Sequence, residues 1–484
     1  MNLDNARILV VGAGLMGAGI AQVAAQAGHE VALFDTRDGA AAAAKTKLAA
    51  TLEGLVAKGR LTAEAAAATL TRITPVAALQ PVDLVIEAIV ENLDIKRALF
   101  AELEALLSDD AIIATNTSSI SVTALARGMK RPERLVGMHF FNPVPLMKLV
   151  EVVSGLGTDS HVAQAIETLA ARWGKTPVHT RSTPGFIVNR IARPYYAEAL
   201  MLLQDRVARP EMIDACLRAA GFRMGPCELM DLIGHDTNFA VTNSVFAANF
   251  YDRRFTPSLV QQELVDAGFL GRKSGRGFYR YPEGAPALPA LGAKPSRPSA
   301  RRVVLHGRGG IADRLAAALP DVERQSSEWT GLEVDRLQIR LTDGRTANQI
   351  AALREFHAPV VVFDLPLGDG GDLACACSGN LADHLAWLAV LGFTPRPMVD
   401  TPGLIVARTI AMLVNEAHDA VQQGVCSEEG ADAAMKLGVN YPAGPFEWAA
   451  LWGERPIVDL LDALDAYYRG ERYRVSPYLR NLLT

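Results

Sequence analysis

A repeated segment constrains the fold of this chain more than any other feature of its sequence. The run TPGFIVNR begins at Thr183, and TPGLIVAR begins 218 positions later at Thr401. Further matching pairs, at an offset of 218 or 219 positions, are Glu198 with Glu416, Gly225-Pro226 with Gly444-Pro445, and Gly234 with Gly453. Because such self-similarity marks one structural unit that occurs twice, we expect two copies of the same domain.

The two copies differ at one polar position. Asn189 of the first copy corresponds to Ala407 of the second copy. The same local frame accepts alanine, so the fold does not require an asparagine there. This comparison favours a functional role for Asn189 over the alternative of a simple polar surface residue.

The N-terminal part of the chain alternates predicted strands and helices. Strands are predicted for RILVVGAG, HEVALFD, VDLVIEAI and DAIIATN, and later strands of the same sheet for RLVGMHFF and KLVEVV. Nearly continuous apolar runs suit parallel strands that are covered on both faces. The pattern predicts an α/β Rossmann fold with a doubly wound parallel sheet. After Thr180 helical periodicity dominates to about Tyr281, which predicts an all-α domain.

The segment before the second copy begins like the N-terminal part. RRVVLHGRGGIADRLAAAL predicts a strand, a glycine turn and a helix. From Gly307 to Thr401 there are 94 positions, whereas Gly12 to Thr183 spans 171. The segment is therefore expected to be a degenerate Rossmann-like remnant, too short for a full copy.

Length also indicates several domains. The chain has 484 residues, half of them hydrophobic, which is enough for several cores. The expected boundaries are a Rossmann domain at 1–182, a helical domain at 183–282, a Pro- and Gly-rich linker at 283–300, the degenerate Rossmann-like segment at 301–398 and the second helical copy at 399–484.

Charge and cysteine content narrow the class of protein. The net charge of −5 argues weakly against nucleic acid or an anionic membrane as the main partner. Five cysteines, in spacings that fit no zinc pattern, favour a reducing cytoplasm, and no metal is expected. We also expect no signal peptide and no membrane span.

A glycine-rich turn indicates a dinucleotide site. Gly12, Gly14 and Gly17 form GxGxxG between a predicted strand and a predicted helix. In this context the glycines allow a tight turn, close approach of a pyrophosphate and close helix packing. Asp35 ends the next strand, where a carboxylate accepts ribose hydroxyls and repels a 2′-phosphate. NAD is therefore expected rather than NADP, although Arg37 keeps NADP open.

A histidine and a glutamate stand out in the apolar stretch LVGMHFFNPVPLMKLVEVV. His139 is predicted at the carboxyl end of a strand, where ligands of this fold bind, and Glu151 lies in the next strand. An imidazole oriented by a carboxylate can take a proton from an alcohol at neutral pH. The alternative is a core histidine and a surface glutamate, and the stretch alone leaves both open.

Ser118, in TNTSSIS, has two interpretations. Its hydroxyl can hydrogen-bond a substrate oxygen, or it can cap the helix predicted for VTALA. The local sequence alone favours the cap.

These motifs together resemble the L-3-hydroxyacyl-CoA dehydrogenase family. The matching pieces are VGAGLMGAGIA, VIEAIVENLDIK, ATNTSSI, GMHFFNPVPLMKLVEVV, STPGFIVNR, GPCELMDLIGHDT and GRKSGRGFY, in family order over about residues 6–281. The whole chain is similar to a longer bacterial form, which is associated with phenylacetate catabolism and 3-hydroxyadipyl-CoA. The resemblance implies NAD-dependent oxidation of a 3-hydroxyacyl-CoA, as in β-oxidation, to a 3-ketoacyl-CoA.

The resemblance also implies a role for each matching residue. His139 would be the general base and Glu151 its partner, while Ser118 and Asn189 would hold the 3-hydroxyl oxygen. The implied cofactor-binding residues are Gly12, Gly14, Leu15, Met16, Gly17, Asp35, Glu91, Lys96, Asn116 and Lys273. The implied CoA-binding residues are Thr51 and Lys58.

Two other functions and two assemblies stay open at this point. A small hydroxy-acid dehydrogenase of similar architecture usually has a catalytic lysine where this chain has Asn189. A non-catalytic NAD(H)-binding structural protein would not need Ser118, His139, Glu151 and Asn189 together. Single-copy relatives pair through the helical domain, so the second copy is expected to act as an internal partner. A homodimer of whole chains is left open.

Overall fold

An eight-stranded sheet organises the N-terminal part of the chain. The computed structural model describes residues 3–289, 297–353, 358–379 and 385–484. The strands are β1 (Ile8–Val11), β2 (Val31–Phe34), β3 (Ile73–Pro75), β4 (Leu84–Glu87), β5 (Ile112–Thr115), β6 (Leu135–Phe140), β7 (Leu149–Ser154) and β8 (Thr176–Arg181). Their order is β3-β2-β1-β4-β5-β6-β7-β8, and neighbouring strands are parallel except β6 and β7. The predicted doubly wound Rossmann fold is confirmed, with its switch point between β1 and β4.

Helices connect these strands and cover their apolar side chains. They are α1 (Leu15–Gln26), α2 (Ala40–Ala57), α3 (Ala63–Thr71), α4 (Leu93–Leu106), α5 (Val122–Ala126) and α6 (Ser160–Arg172), with a short 3-10 helix at Pro132–Arg134. Ile8 and Val10 belong to one buried cluster, whereas Leu9 and Val11 belong to another. Because successive side chains of a strand point to opposite faces, both faces of β1 are covered, and this explains its continuous apolar run.

The first helical copy follows the sheet, as predicted. Its helices are α7 (Val188–Ile191), α8 (Arg193–Gln204), α9 (Pro210–Ala219), α10 (Pro226–Ile233), α11 (His235–Ala248) and α12 (Leu259–Asp266), with 3-10 helices at Arg253–Phe255 and Arg272–Ser274. Pro210 and Pro226 each occupy the first turn of a helix, where a missing N–H costs no hydrogen bond.

A second, mixed sheet precedes the second copy. Its elements are β9 (Val303–His306), α13 (Gly309–Ala318), β10 (Glu323–Gln325), β11 (Gly331–Val334), β12 (Leu337–Leu341), α14 (Ala347–Ala352), β13 (Val360–Phe363), β14 (Gly371–Cys377), α15 (Leu385–Val390) and β15 (Phe393–Pro397). The order is β10-β9-β11-β12-β13-β14-β15. β9, α13 and β10 keep the parallel strand–helix–strand order, so the Rossmann-like start is confirmed. β11 is antiparallel to both neighbours, β9 and β12, and a two-residue hairpin connects it to β12 in place of a helical crossover.

Parts of two predicted segments lie outside the described residues. These parts are 290–296 of the linker, and 354–357 and 380–384 of the degenerate segment. Within the described ranges, no helix is long and apolar enough to cross a membrane.

The second helical copy repeats the backbone of the first. Its helices are α16 (Val406–Gln422), α17 (Glu428–Gly438), α18 (Pro445–Trp452), α19 (Glu454–Tyr468) and α20 (Pro477–Asn481). Gly185 and Phe186 have φ of 78° and 48°, and their counterparts Gly403 and Leu404 have φ of 69° and 50°. The repeated TPG motif therefore makes the same left-handed turn before a helix in both copies.

The two copies exchange buried ion pairs. Arg190 Nε lies 2.6 Å from Glu416, and Arg408 Nε lies 2.9 Å from Glu198. All four side chains are buried, and each arginine and each glutamate has its repeat partner in the other copy. Such reciprocity is the pattern of a two-fold symmetric interface, so α8 and α16 meet as the subunits of a symmetric dimer would.

Helices from each copy also cross to the sheet of the other half. The chain forms two compact units, Met1–Val188 with Gly424–Val439, and Asn189–Gln423 with Asn440–Thr484. In the first unit α17 packs on β7 and β8, and Arg181 N donates to Val425 O at 3.0 Å. In the second unit α9, the counterpart of α17, packs on β14. The segment predicted as one second copy, 399–484, is thus divided between the units.

Candidate active site

The glycine turn leaves no room for side chains at two of its positions. A Cβ on Gly12 would lie 2.5 Å from Ala88 O, and one on Gly17 would lie 1.7 Å from Gly12 O. A Cβ on Gly14 would have nothing within 4 Å among the described residues. The turn is therefore closely packed against backbone atoms at Gly12 and Gly17, and open at Gly14, where a pyrophosphate would approach.

Helix α1 begins at this open position. Its N-cap is Gly14, and no side chain in the described part of the chain caps it. Leu15 is exposed, Met16 is half-buried and packs against the core. The uncapped N–H groups and the helix dipole offer partial positive charge to an anionic ligand.

Asp35 stands beside the turn and is held there by hydrogen bonds. Its Oδ2 accepts from Ala13 N at 2.8 Å, and both oxygens accept from Arg37 at 3.0 and 3.1 Å. Mainly because the Arg37 guanidinium donates to it, the pKa of Asp35 falls to about 2. A permanently charged carboxylate occupies the place where a ribose would be recognised, and Arg37 pairs with it. Both features fit NAD.

A buried lysine joins two carboxylates at the end of β4. Lys96 Nζ lies 2.6 Å from Glu87 Oε1 and 3.2 Å from Glu91 Oε2. Glu91 also accepts hydrogen bonds from Thr117 Oγ1 at 2.6 Å and from Ser118 N at 2.9 Å. Burial raises the pKa of Glu91, but the Thr117 hydroxyl and the Lys96 charge outweigh it and hold that pKa below its usual value. The network fixes the loop after β5.

That loop carries Asn116 and Ser118. Asn116 Oδ1 accepts from Phe140 N at 2.8 Å, which ties the loop to the end of β6. The interpretation of Ser118 as a helix cap is wrong, because Ser121 caps α5 and accepts from Ala124 N. Ser118 is half-buried and its own N–H and Oγ face Glu91.

His139 and Glu151 are opposite each other on β6 and β7. His139 Nδ1 lies 2.6 Å from Glu151 Oε2, and both side chains are buried. The rings of Phe141 and Phe186 lie 4.5 and 5.9 Å from the imidazole. Because a carboxylate oxygen accepts, Nδ1 carries the proton and Nε2 keeps its lone pair. The alternative of a surface glutamate is wrong.

The second oxygen of Glu151 is also engaged. Oε1 accepts from Ile187 N at 3.0 Å and from Val188 N at 2.9 Å. The carboxylate therefore bonds the imidazole and the start of α7 at once. Its position is fixed independently of the histidine, which is what an orienting group requires.

In the second unit another carboxylate makes the equivalent hydrogen bonds. Asp364 follows β13 and accepts from Ile405, Val406 and Ala407 N at 2.7–2.9 Å. Ile405 and Val406 are the repeat partners of Ile187 and Val188. By strand order and direction β13 corresponds to β6 and β14 to β7, so the carboxylate that bonds this helix N-terminus comes from a different strand in each half.

The remaining predicted site residues lie on other elements of the fold. Asn189, the first residue of the second unit, is half-buried, and its carbonyl oxygen accepts from Arg193 Nε at 2.9 Å. Lys273 in the same unit pairs with Asp236 at 2.5 Å. On α2 of the first unit, the hydroxyl of Thr51 donates to a backbone carbonyl one turn earlier, and Lys58 is exposed at the helix end.

Sequence reasoning did not single out Glu87 and Thr117. Glu87 is a fully buried carboxylate in an apolar strand, bonded to Lys96 and to Thr115 Oγ1 at 2.6 Å. The sequence did contain an indication of Glu87, because an acidic residue inside the apolar run VDLVIEAI needs a buried partner. Thr117 gave no signal, because its partner Glu91 is distant in the chain.

The fold and the glycine turn define a dinucleotide-dependent oxidoreductase, and comparison with known proteins narrows the class. Residues 7–183 match the 3-hydroxyacyl-CoA dehydrogenase NAD binding domain, and 185–281 and 403–484 match the C-terminal domain of that family. The chain therefore belongs to the 3-hydroxyacyl-CoA dehydrogenase family, as its motifs predicted. It is an NAD-dependent enzyme, and the two matches to one domain agree with the internal repeat.

Individual relatives support this membership over the whole chain. The chain is 46% identical to a 3-hydroxyadipyl-CoA dehydrogenase of Escherichia coli K12, over 99% of this chain and 98% of the relative. A crystal structure of an Escherichia coli K12 3-hydroxybutyryl-CoA dehydrogenase matches with a TM-score of 0.88 and 45% identity, covering 98% of each chain. A probable 3-hydroxybutyryl-CoA dehydrogenase of Bacillus subtilis is 41% identical over 57% of this chain and 98% of the relative.

Proposed function

We propose that this protein oxidises the C3 hydroxyl of an (S)-3-hydroxyacyl-CoA to the 3-ketone, with 3-hydroxyadipyl-CoA or 3-hydroxybutyryl-CoA as substrate. The names of the full-length relative and of the full-length structural match support these two acyl groups. The buried His139–Glu151 pair carries the proposal, because it supplies an oriented base at the strand end where ligands of this fold bind.

Each site residue has a separate role in the proposed reaction. His139 Nε2 takes the proton from the C3 hydroxyl, and Glu151 stabilises the imidazolium that forms. NAD, when bound, accepts the hydride that leaves C3. Ser118 and Asn189 take the roles that the resemblance gives them and hold the oxygen at C3. Thr51 and Lys58 bind the CoA portion of the substrate.

The glycine turn and Asp35 hold the dinucleotide in this proposal. Gly14, Leu15 and Met16 present backbone N–H groups at the start of α1. Glu91, Lys96 and Asn116 support the loop that carries Ser118. Lys273 takes the cofactor role that the resemblance gives it, and its charge is paired with Asp236 at 2.5 Å.

The test is NADH formation by the purified protein, with the two substrates side by side. We expect turnover of at least one of them and none with the (R) enantiomers. A folded protein that binds NADH but turns over neither substrate would favour the non-catalytic alternative. Turnover of small 2-hydroxy acids in place of the thioesters would favour the other dehydrogenase class.

We place this activity in the cytoplasm. All five cysteines are free thiols, which suits a reducing compartment. Fractionation of cells that express the protein should recover it with cytosolic enzymes, and recovery in the membrane fraction would contradict this assignment.

A further inference from the structure

A cavity in the second unit lies between residues of both helical copies. Its volume is about 400 Å³. One wall is the face of α8 that begins at Arg193 and continues through Ala197 to Gln204. The opposite wall comes from Tyr468–Tyr473 of the second copy, which completes the cavity.

The lining combines apolar side chains with positive charge. The apolar and aromatic members are Tyr196, Ala197, Leu200, Met201, Phe255, Pro257, Tyr468 and Tyr473. The charged members are Arg193, Arg253, Arg469 and Arg472, and no aspartate or glutamate is among the described lining residues. Such a cavity suits a ligand with an alkyl portion and an anionic end.

Arg193 is the unusual member of this set. It is only 5% exposed, and its hydrogen bonds go to neutral oxygens, Asn189 O at 2.9 Å and Thr242 Oγ1 at 3.2 Å. Its guanidinium also lies 4.8 Å from the ring centre of Tyr196. In the described part of the chain no carboxylate lies within ion-pair distance of it.

The other buried arginines of this unit are neutralised. Arg190 and Arg254 bind Glu416, and Arg408 binds Glu198. Arg472, in the cavity wall, shares that same Glu198 with Arg408, so two positive charges face one negative charge. The cavity wall therefore carries uncompensated positive charge.

A buried charge without a counter-ion is energetically unfavourable. We therefore expect a bound ligand to supply the anion that neutralises Arg193. Burial lowers the pKa of Arg193, as expected for a guanidinium without a counter-ion. A carboxylate is the group that a planar guanidinium binds with two parallel hydrogen bonds.

The position of Arg193 indicates which carboxylate of a substrate it would bind. Asn189 lies in α7 and Arg193 begins α8, and the two residues are in contact because Arg193 Nε donates to Asn189 O at 2.9 Å. In a 3-hydroxyadipyl group the distal carboxyl carbon lies three carbon–carbon bonds beyond C3. A chain of that length can connect an oxygen held at Asn189 with the guanidinium of the neighbouring Arg193.

We propose that Arg193 binds the distal carboxylate of a dicarboxylic 3-hydroxyacyl-CoA and so sets the enzyme's preference for that substrate class. This inference rests on the proposed function, in which Asn189 holds the oxygen at C3. Thr242 is a positioning residue, because its hydroxyl accepts from one end of the guanidinium. The alkyl part of the chain lies against the apolar lining.

The experiment compares two substrates that differ only at the distal end. 3-Hydroxyadipyl-CoA ends in a carboxylate, and 3-hydroxyhexanoyl-CoA of the same length ends in a methyl group. We expect the wild-type enzyme to favour the adipyl substrate in kcat/KM by about tenfold or more. Arg193→Met, which keeps an unbranched side chain without charge, should lower that preference by at least about tenfold, chiefly through KM.

Three further variants make the result specific. Arg223→Met removes an exposed arginine outside the cavity and should leave the preference unchanged. Arg193→Lys should restore part of it. Thr242→Val, which keeps the side-chain shape, should weaken it less than Arg193→Met and keeps the test possible if that variant fails to fold.

The outcomes separate this inference from the proposed function. A wild-type enzyme that favours the hexanoyl substrate would overturn the inference. So would an equal loss for both substrates in Arg193→Met, because a CoA phosphate would then be the bound anion. In either case the enzyme still oxidises 3-hydroxyacyl-CoA. Silence of the wild type with both substrates and with 3-hydroxybutyryl-CoA would instead defeat the proposed function.

Discussion

Glu151 and Asp364 accept hydrogen bonds from equivalent backbone groups in the two halves of the chain. Glu151 binds Ile187 N and Val188 N, and Asp364 binds Ile405 N and Val406 N. Only Glu151 also binds a histidine. A carboxylate therefore bonds the helix N-terminus in both halves, although the two carboxylates come from non-equivalent strands, and only the one in the first half also bonds an imidazole.

His139→Gln should lower kcat by a hundredfold or more while the protein folds normally. Glutamine keeps a polar side chain in the pocket but cannot accept the hydroxyl proton. NADH formation measures the loss, and NADH fluorescence with circular dichroism shows that cofactor binding and fold persist. Turnover equal to the wild type would defeat the assignment of the base.

Glu151→Gln should give a loss of similar size with little change in stability. The amide oxygen still accepts from Ile187 N and Val188 N, but it no longer supplies the charge that stabilises an imidazolium. NADH formation measures the loss, and a variant with the wild-type rate would contradict the orienting role.

Asp364→Ala should destabilise the protein without removing its activity. It leaves buried N–H groups at the start of α16 without their acceptor, which costs about 2 kcal/mol or more. Urea unfolding measures this cost. The folded fraction should retain the wild-type kcat, because no reacting group is altered, and an inactive but stable variant would disprove this division of roles.

Asp35 should keep NAD bound across the whole neutral and mildly acidic range. Its folded pKa of about 2 lies below the ordinary value of 3.8. The carboxylate therefore stays charged above about pH 4, and its contribution is lost only as the pH falls toward 2. The KM for NAD should show no change from this group between pH 8 and pH 5.

Asp35→Ser should shift the cofactor preference toward NADP. The substitution removes the charge that repels a 2′-phosphate and releases Arg37 from its pairing. The ratio of kcat/KM for NAD to that for NADP should fall by about tenfold or more. An unchanged ratio would show that Asp35 does not face the ribose.

Deletion of residues 399–484 should cause aggregation or a new dimer. It removes α16, whose residues 406–420 are all buried, and leaves Arg190 without Glu416. It also removes α17 from β7 and β8. Light scattering measures the assembly, and a truncated chain that stays monomeric and active would contradict the pairing of the two copies.

The sequence was informative where function depends on local motifs or on the repeat. The glycine turn, Asp35, His139 and Glu151 each had a pattern with a physical reason, and the structure places His139 beside Glu151. The offset of 218 positions predicted two helical copies, and the exchanged arginine–glutamate pairs fall on repeated positions.

Other features could not be predicted because they depend on distant contacts. The local sequence alone favoured Ser118 as a helix cap, against the catalytic role that the resemblance implied, and only the structure shows that Ser121 caps α5. The pairing of α17 with the first sheet depends on the folding of both halves. Arg193 looked like any arginine of an amphipathic helix until its burial and its neutral partners were known.

The exchanged ion pairs lie between segments of one polypeptide, so mass action does not govern their assembly. In a dimer of separate subunits the equivalent contacts would be lost on dilution, and protomers would exchange between molecules. Here the tether keeps the two copies at a high effective concentration at any protein level. The two copies can therefore diverge separately, and Ala407 in place of a second asparagine is a difference that identical subunits could not carry.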